Sequence, residues 1–335
     1  MLAAPTTATH GLRALAGLAS VALACSPALA CGESHRSAPP SAPQKPAGSV
    51  VSRVRVGPSP VGVAFGAGSL WVANTNFQSG RPGSLSRIDP ATGARQAQIK
   101  AGAVPLQVLF AERSVWVSVS EDGVVARVDP SSNRVVVRIA AGATPEGLAA
   151  GAGSVWVGHE LDETVTRIDP RLNRVVATIE VGAEPRFVAV GGGRVWVSLY
   201  GDDEVVGIDP TTNKVVARIA VPDGPQPLLF TAGRLFVSCT DAGQVIAIDV
   251  AAAKVVRKLP VPGRPDGLVR TSAALWIAGE DGVRLTKVAL PDPRVEAASS
   301  LGRFDTQGNE TITSADGFLW LPVFGDDAVW KVRPG

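Results

Sequence analysis

The residues of this chain with the clearest potential for chemistry are a few polar side chains that depart from a repeated pattern. Glu146, Arg186 and Asp266 each follow a proline at the same point of the repeat, yet their charges differ. His159 and Tyr200 are the single histidine and the single tyrosine within residues 50–335, and they lie at nearby loop positions of adjacent repeats. Because a cluster of polar groups can orient a ligand, we predict a ligand site formed by these five residues.

Acidic residues recur in the predicted loops around this site and would form a ring. Carboxylate oxygens gathered around an opening suit Mg²⁺ or Ca²⁺, which makes a divalent cation one candidate cofactor. The alternative is that Asp recurs there because it forms tight, solvated turns, in which case no cofactor is implied. For His159 the alternative to a ligand-binding role is that of a solvated loop residue. The acidic positions are Glu121, Asp122, Glu160, Asp162, Glu163, Asp202, Asp203, Asp241, Glu280, Asp281, Asp326 and Asp327.

Residues 50–335 contain none of the sequence patterns typical of common catalytic sites. A Gly-x-Ser-x-Gly elbow, a His-Glu-x-x-His helix and a phosphate-binding loop are all absent. Cys239, the single cysteine beyond residue 31, lies in an apolar strand pattern and is expected to be a small buried residue. The formal net charge is +2 without a basic stripe, which argues against nucleic-acid binding. These observations favour a binding protein over an enzyme.

A repeat of about 40 residues, from residue 50 to the C-terminus, must position these side chains. A fixed period of this length built from short strands is typical of a β-propeller with one four-stranded blade per repeat. We therefore predict an all-β, seven-bladed propeller over residues 50–335. The aromatic residue of a Val-Trp-Val-like core recurs at Trp71, Trp116, Trp156, Trp196, Phe236, Trp276 and Trp320, and an aspartate recurs at Asp89, Asp129, Asp169, Asp209 and Asp249.

One repeat illustrates the predicted blade. Its four strands are predicted at residues 147–150, 154–158, 164–169 and 174–181, with a polar loop at 159–163. The Asp-Pro-x-x-Asn segment between the last two strands predicts a turn, because Asp accepts backbone hydrogen bonds and Asn tolerates a positive φ. The seventh repeat lacks an outer strand, whereas residues 49–56 read as a spare one. We predict that this N-terminal strand completes the last blade and closes the ring.

The N-terminal residues have a different composition. Residues 1–31 combine one arginine, a short apolar run and small residues before Cys31, which is typical of a secretory signal peptide. Two interpretations remain open: ordinary cleavage after Ala30, or a bacterial lipobox in which Cys31 carries the lipid, with Cys25 as a second match. Residues 32–49 are rich in Pro, Ser and Ala and are expected to form a disordered tether. The expected location is therefore exported, either membrane-anchored as a lipoprotein or periplasmic or extracellular.

The repeat resembles a known family. Gly-x-Val-Trp-Val, Val-x-x-Ile-Asp-Pro-x-x-Asn-x-Val-Val-x-x-Ile and Gly-x-x-Pro are similar to the YVTN-type β-propeller repeat of exported bacterial and archaeal proteins. That resemblance implies a secreted or surface-attached propeller. More distantly, the repeated Gly-x-x-x-Trp pattern is similar to virginiamycin B lyase, which implies a metal-assisted elimination on streptogramin B antibiotics through a late-blade histidine. No histidine follows His159 here, so no catalytic residue is carried over.

The sequence as a whole favours an exported, membrane-anchored propeller that acts as a binding module through its loop face. The expected partner is an envelope protein, a glycan or a small ligand, and the expected state is a monomer. The alternative is a metal-dependent lyase or lactonase of the virginiamycin B lyase-like type.

Overall fold

Each repeat folds into one antiparallel four-stranded sheet, and seven such blades form the propeller. The computed structural model describes residues 46–77, 81–272, 274–302 and 311–335. The predicted signal peptide, Cys31 and most of the predicted tether lie outside the described residues. The prediction of a seven-bladed propeller is confirmed.

The blades follow one another along the chain. Blade 1 contains β2 (Pro60–Gly66), β3 (Ser69–Asn74), β4 (Gly83–Ile88) and β5 (Arg95–Gly102); blade 2 contains β6 (Pro105–Ala111), β7 (Ser114–Val119), β8 (Val124–Asp129) and β9 (Arg134–Ala140); blade 3 contains β10 (Pro145–Gly151), β11 (Ser154–His159), β12 (Thr164–Asp169) and β13 (Arg174–Glu180).

The later blades keep the same order. Blade 4 contains β14 (Pro185–Gly191), β15 (Arg194–Leu199), β16 (Glu204–Asp209) and β17 (Lys214–Ala220); blade 5 contains β18 (Pro225–Thr231), β19 (Arg234–Cys239), β20 (Gln244–Asp249) and β21 (Lys254–Pro260); blade 6 contains β22 (Pro265–Arg270), β23 (Ala274–Gly279), β24 (Val283–Ala289) and β25 (Arg294–Gly302); blade 7 contains β26 (Thr313–Ala315), β27 (Phe318–Val323), β28 (Ala328–Pro334) and the N-terminal β1 (Gly48–Arg55).

Burial differs between the strands of a blade and explains their sequence patterns. Every residue of β11 is buried, because this second strand lies between two neighbouring blades and both of its faces are covered. The outer strand β13 alternates instead, since one of its faces meets solvent. Trp156 is fully buried among residues of the next blade, including Val188 and Val195. The recurring tryptophans are therefore packing residues between blades.

The Asp-Pro-x-x-Asn turn has the predicted structure. Asp169 accepts hydrogen bonds from the backbone N–H groups of Arg171 at 2.7 Å and Leu172 at 3.1 Å. These bonds stabilise the carboxylate and lower the pKa of Asp169. Asn173 closes the turn with a φ of 52°, in the left-handed region that Asn tolerates. The recurring aspartates thus serve the scaffold.

A cation joins each blade to the next, and the sequence analysis missed this role. The guanidinium of Arg167 lies 5.0 Å from the ring centre of Trp156 and donates to the carbonyl of Pro210 at 2.6 Å and to Oδ1 of Asn213 at 3.0 Å. Arg127 makes the same contacts one blade earlier, and Arg87 makes them two blades earlier. At the other seams a cationic side chain donates to a backbone carbonyl of the next blade. The pairs are Arg194 with Val250, Arg257 with Pro293, Lys287 with Gly335, and Lys331 with Pro90.

The ring is closed by strands from the two ends of the described chain. The N-terminal β1 pairs antiparallel with β28, with Val50 opposite Val332 and Val54 opposite Val329. The predicted completion of the last blade is confirmed, and the strand begins at Gly48, one residue before the predicted start. Pairing of β1 with β28 covers an edge that would otherwise expose unpaired N–H and C=O groups. In the described residues no helix has the length and apolarity needed to cross a membrane.

Candidate functional site

The candidate site lies on the loop face, the end of the ring where the inner strands begin and the second strands end. In blade 3, Pro145 at the start of β10 faces His159 at the end of β11, and Pro185 faces Leu199 in the same way in blade 4. Residues after these prolines therefore lie at the central mouth of the propeller. The segments before the prolines and the loops after the second strands surround that mouth.

Arg186 is the centre of a charged cluster on this face. Its Nη2 lies 3.0 Å from Oε1 of Glu160 and 3.9 Å from a carboxylate oxygen of Glu184, and its Nη1 lies 3.9 Å from Oε1 of Glu146. Its side chain is 15% exposed and that of Glu146 is 6% exposed, so both charges are largely removed from water. Such a pair is stable only when each charge is compensated, and here one guanidinium contacts three carboxylates.

Tyr200 continues the cluster into the next blade. The guanidinium of Arg186 lies 4.3 Å from the centre of the Tyr200 ring, within the range of a cation–π contact. The Tyr200 hydroxyl donates a 2.6 Å hydrogen bond to Asp241 in blade 5. Burial, followed by this bond to a carboxylate, raises the pKa of Tyr200 to about 12. Tyr200 is therefore a neutral hydrogen-bond donor at physiological pH.

Arg264 extends the cluster to blade 6. Its Nη1 lies 2.8 Å from Oδ1 of Asp241, and its Nε lies 3.0 Å from Oε2 of Glu280. These contacts raise the pKa of Arg264 against the opposing effect of burial. A continuous path of polar contacts thus runs from Glu146 in blade 3, through Arg186 and Tyr200, to Glu280 in blade 6. We refer to Glu146, Glu160, Glu184, Arg186, Tyr200, Asp241, Arg264 and Glu280 as the loop-face cluster.

The residue after each inter-blade proline determines the chemistry of the central mouth. Blades 3, 5 and 6 place Glu146, Gln226 and Asp266 there, and all three residues are buried. Blade 1 places the buried Val61 at the same position, and blade 2 has Leu106. Polar residues are therefore not required at this position by the fold. Gln226 was missed by the sequence analysis, although its place in Pro225-Gln226-Pro227 matches that of Glu146.

His159 is not in a loop, so the loop position that the sequence predicted for it is wrong. It is the last residue of β11, its side chain is fully buried, and its Nε2 lies 2.8 Å from Oγ1 of Thr166. Tyr200 occupies the position one residue further along its own repeat. His159 therefore ends its strand, whereas Tyr200 lies in the turn that follows β15. The structure brings Glu146, Arg186 and Tyr200 together and places His159 in a packed interior.

Burial lowers the pKa of His159 to about 4, against the opposing charge of Asp162. The folded protein therefore keeps His159 neutral between pH 6.5 and 4, whereas the unfolded chain binds a proton there. We expect this group to remove about 3 kcal/mol of stability as the pH falls through that range, with full stability above pH 6.5. The check is chemical denaturation at pH 7, 5.5 and 4 of the wild-type protein and of His159→Leu combined with Thr166→Val.

The double variant reproduces the pair that blade 4 has at these positions, Leu199 and Val206, and serves as the matched comparison. Its free energy of unfolding is expected to decline less with acidification than that of the wild-type protein. Parallel pH profiles of the two proteins would contradict the assignment.

Several acidic loop residues have structural partners, which supports their interpretation as turn residues. Asp122, Asp162 and Asp202 accept hydrogen bonds from the backbone N–H groups of Ala103, Ala143 and Ala183 at 3.2, 2.6 and 2.9 Å. Each thereby joins a loop to the segment that enters the same blade's inner strand. Within the described ranges, no three His, Cys, Asp or Glu side chains are arranged to hold a metal ion. Mg²⁺ or Ca²⁺ binding is thus a prediction without a located site.

Cys239 ends β19 at the repeat position that His159 occupies in blade 3. It is fully buried, and burial raises the pKa of its thiol to about 12. The thiol is therefore protonated and shielded from solvent, as expected for a packing residue.

Comparison with solved structures places this fold among known propellers. The chain is similar to a Kuenenia stuttgartiensis hydrazine synthase structure, with a TM-score of 0.73 and 17% identity over 85% of this chain and 98% of that chain. A streptogramin B lyase structure matches with a TM-score of 0.70 and 12% identity, covering 85% of this chain and 97% of that chain. The computationally designed Ika8 protein matches with a TM-score of 0.64 and 12% identity, covering 86% and 100%.

Sequence comparisons add no family to this result, because no protein-family profile and no curated protein matches the chain. At identities of 12–17% the structural matches show the shared propeller fold. Function must be argued from the residues of the site, since one fold carries many unrelated activities.

Proposed function

We propose that this protein is an exported, membrane-anchored binding module that holds its partner on the loop face of blades 3–6. Export, anchoring and membership of the YVTN-type repeat family are parts of this proposal, supported by the N-terminal sequence and by the repeat motifs. The observation that carries the proposal is the loop-face cluster itself. It joins four successive blades through charged side chains at positions where the repeat varies.

The fold alone does not account for this cluster. Val61 and Leu106 occupy the position of Arg186 in blades 1 and 2, so apolar residues are compatible with the ring. Burying charges is costly even when they are paired, so stability alone does not explain a cluster of this kind. Recognition of a partner on a rigid scaffold is such a role.

The charge balance indicates the chemistry of the partner. Together with the buried Asp266, the cluster contains six acidic side chains and two guanidiniums. Excess negative charge around a central mouth attracts cationic groups and repels anionic ones. Leu161, which follows Glu160, is 70% exposed and offers an apolar contact at the same edge. These features fit a basic segment of an envelope protein better than a neutral glycan or an anionic small ligand.

An oligolysine peptide is a suitable probe for this proposal. We expect it to bind the full-length chain at low ionic strength, with an affinity that falls as salt is added. A triple variant with Glu184→Gln, Asp241→Asn and Glu280→Gln should bind about tenfold more weakly, because it removes three carboxylates that face the probe. Fluorescence anisotropy of a labelled peptide measures both affinities.

The matched control removes the same charge at the opposite end of the ring. Glu112, Asp292 and Asp316 are exposed residues of turns far from the loop face, and their change to Gln, Asn and Asn should leave peptide binding within twofold. Equal weakening by the two triple variants would show a general charge effect and would refute a loop-face site. Absence of peptide binding to the wild-type protein would refute a basic partner.

A further inference from the structure

The two ends of the propeller carry opposite charge. In blades 2–5, the connections on the loop face, counted with the strand residue on either side, contain twelve acidic residues and no lysine or arginine. Arg138, Arg186, Arg218 and Lys258 lie further inside strands at that end and offset a third of this charge. The connections at the opposite end, counted in the same way, contain eight basic and five acidic residues. We call this opposite end, where the second and outer strands begin, the turn face.

Exposed cations recur on the turn face at one position of the repeat. The first residue of the outer strand is a lysine or an arginine in each of blades 1–6, and all six are exposed: Arg95, Arg134, Arg174, Lys214, Lys254 and Arg294. Arg95 donates to the carbonyl of Val56, and Arg294 lies 3.4 Å from Glu296. The other four form no ion pair with a described residue. These four cations can therefore meet an anionic surface without losing a partner.

The turn aspartates compensate this charge only in part. Asp129 accepts hydrogen bonds from the backbone N–H and the hydroxyl of Ser131, and Asp209 accepts the same pair from Thr211. These bonds lower the pKa of both aspartates, so they remain anionic. Each carboxylate is held against its own turn, whereas the cations are long, exposed side chains. With eight basic and five acidic residues in blades 2–5, the turn face is net positive.

Exposed apolar side chains lie among these cations. Leu172 is 55% exposed in the turn between Arg171 and Arg174. The neighbouring blades have Ser132 and Thr212 at this position, so the turn itself does not require an apolar residue. An exposed apolar side chain flanked by cations is typical of a surface that enters the headgroup region of a bilayer. A soluble polyanion would offer Leu172 no apolar contact.

The N-terminal segment also joins the propeller at the turn face. The first residue of β1, Gly48, lies opposite Pro334, the last residue of β28. The backbone N–H of Gly335 donates to the carbonyl of Ala47 at 2.8 Å, which fixes this point of entry. The lipid anchor proposed for Cys31 therefore reaches the propeller from its basic end.

We propose that the turn face lies against an anionic lipid surface, which it contacts through the outer-strand cations and Leu172. A negative surface attracts this end of the propeller and repels the acidic loop face. The proposal builds on the proposed membrane anchoring and deepens it, because it directs the loop-face cluster away from the membrane towards its partner. Contact between the turn face and lipid can nevertheless be tested without an anchor.

Vesicle sedimentation provides the test. The full-length chain with Cys25→Ser and Cys31→Ser has neither candidate position for a lipid, and it is mixed with phosphatidylcholine vesicles with and without phosphatidylglycerol. Residues 1–45 are common to all proteins compared, so the quantity measured is the increase in binding that phosphatidylglycerol causes. We expect such an increase, and we expect it to decline as salt is added. Adding Arg134→Gln, Arg174→Gln and Lys214→Gln should lower the phosphatidylglycerol-dependent binding constant at least about tenfold.

The matched control removes three positive charges near the loop-face ends of outer strands. Lys100, Arg138 and Lys258 are exposed there, and their change to Gln should leave the vesicle binding constant within about twofold. Equal weakening by the two triple variants would show a general charge effect and would overturn the proposal. Absence of a phosphatidylglycerol-dependent increase in the chain with unchanged turn-face residues would also overturn it.

Two further measurements separate this proposal from its alternatives. Leu172→Ser, which introduces the residue type of Ser132, should weaken vesicle binding severalfold because it removes an apolar contact without changing charge. Binding to polyphosphate without binding to vesicles would assign the turn face to a soluble polyanion and refute the lipid contact. The turn-face triple variant is also titrated with oligolysine, whose affinity should stay within about twofold because that probe meets the loop face. Failure of one proposal is thereby distinguished from failure of the other.

Discussion

Arg186→Leu is expected to lower the free energy of unfolding by about 3–5 kcal/mol, because it leaves buried carboxylates without their compensating charge. Glu146 and Glu160 have side-chain exposures of 6% and 16%, and both contact the lost guanidinium. Leucine itself fits the position, since Leu106 occupies it in blade 2. Urea denaturation at neutral pH measures the loss. The same variant removes the cation that lies over the Tyr200 ring.

A second substitution separates electrostatic destabilisation from poor packing. Glu146→Gln in the Arg186→Leu background removes one uncompensated charge and introduces the residue type that blade 5 has in Gln226. We expect it to recover 1 kcal/mol or more, in the range typical of coupled neighbouring residues. If Glu146→Gln destabilised the variant as much as it destabilises the wild-type protein, the ion-pair explanation would be wrong.

Removal of residues 1–56 is expected to open the ring and to destabilise it by at least about 5 kcal/mol. The deleted β1 forms seven residue pairs with β28, and each lost ladder hydrogen bond contributes about 1 kcal/mol. The freed edge of β28 would also promote association through strand pairing. Denaturation measures the stability, and light scattering at increasing protein concentration detects the association.

The comparison is a chain that lacks residues 1–45 and keeps β1. It should unfold at the same denaturant concentration as the full-length chain, and its light scattering should show no added association at increasing protein concentration. A synthetic peptide of residues 46–57, added to the chain that lacks residues 1–56, should restore its stability because the peptide can pair with β28. If the chain without residues 1–56 shows no added association and is as stable as the chain that keeps β1, closure by β1 is not needed.

The repeat made most of the fold predictable. The interval between Trp116, Trp156 and Trp196 requires one structural unit per 40 residues. The recurring Asp-Pro turn, as at Asp169, locates the start of the outer strand in its repeat. The missing outer strand of the last repeat and the spare N-terminal strand identified the closure. These inferences succeeded because strand alternation and turn chemistry are local properties of the sequence.

The candidate site was less predictable, because its contacts join different blades. Arg186 was recognised as a departure from the repeat, but its contacts with Glu160 in blade 3 and with Tyr200 depend on how blades 3 and 4 pack. His159 was assigned to the polar loop at residues 159–163, whereas β11 extends one residue further and ends with the buried His159. The arginines that join the blades were overlooked, since their acceptors lie more than 40 residues away.

The sequence by itself determined the number of blades, the order of strands and the closure by β1, since these follow from periodicity and from one strand lacking a partner within its own repeat. The tertiary structure alone decided which polar residues meet. Contacts between side chains connect Glu146, Arg186, Tyr200, Asp241 and Arg264 across four blades, and the packing of neighbouring blades buries His159. The reason is physical: each of these contacts depends on the distance between neighbouring sheets, which no single repeat encodes.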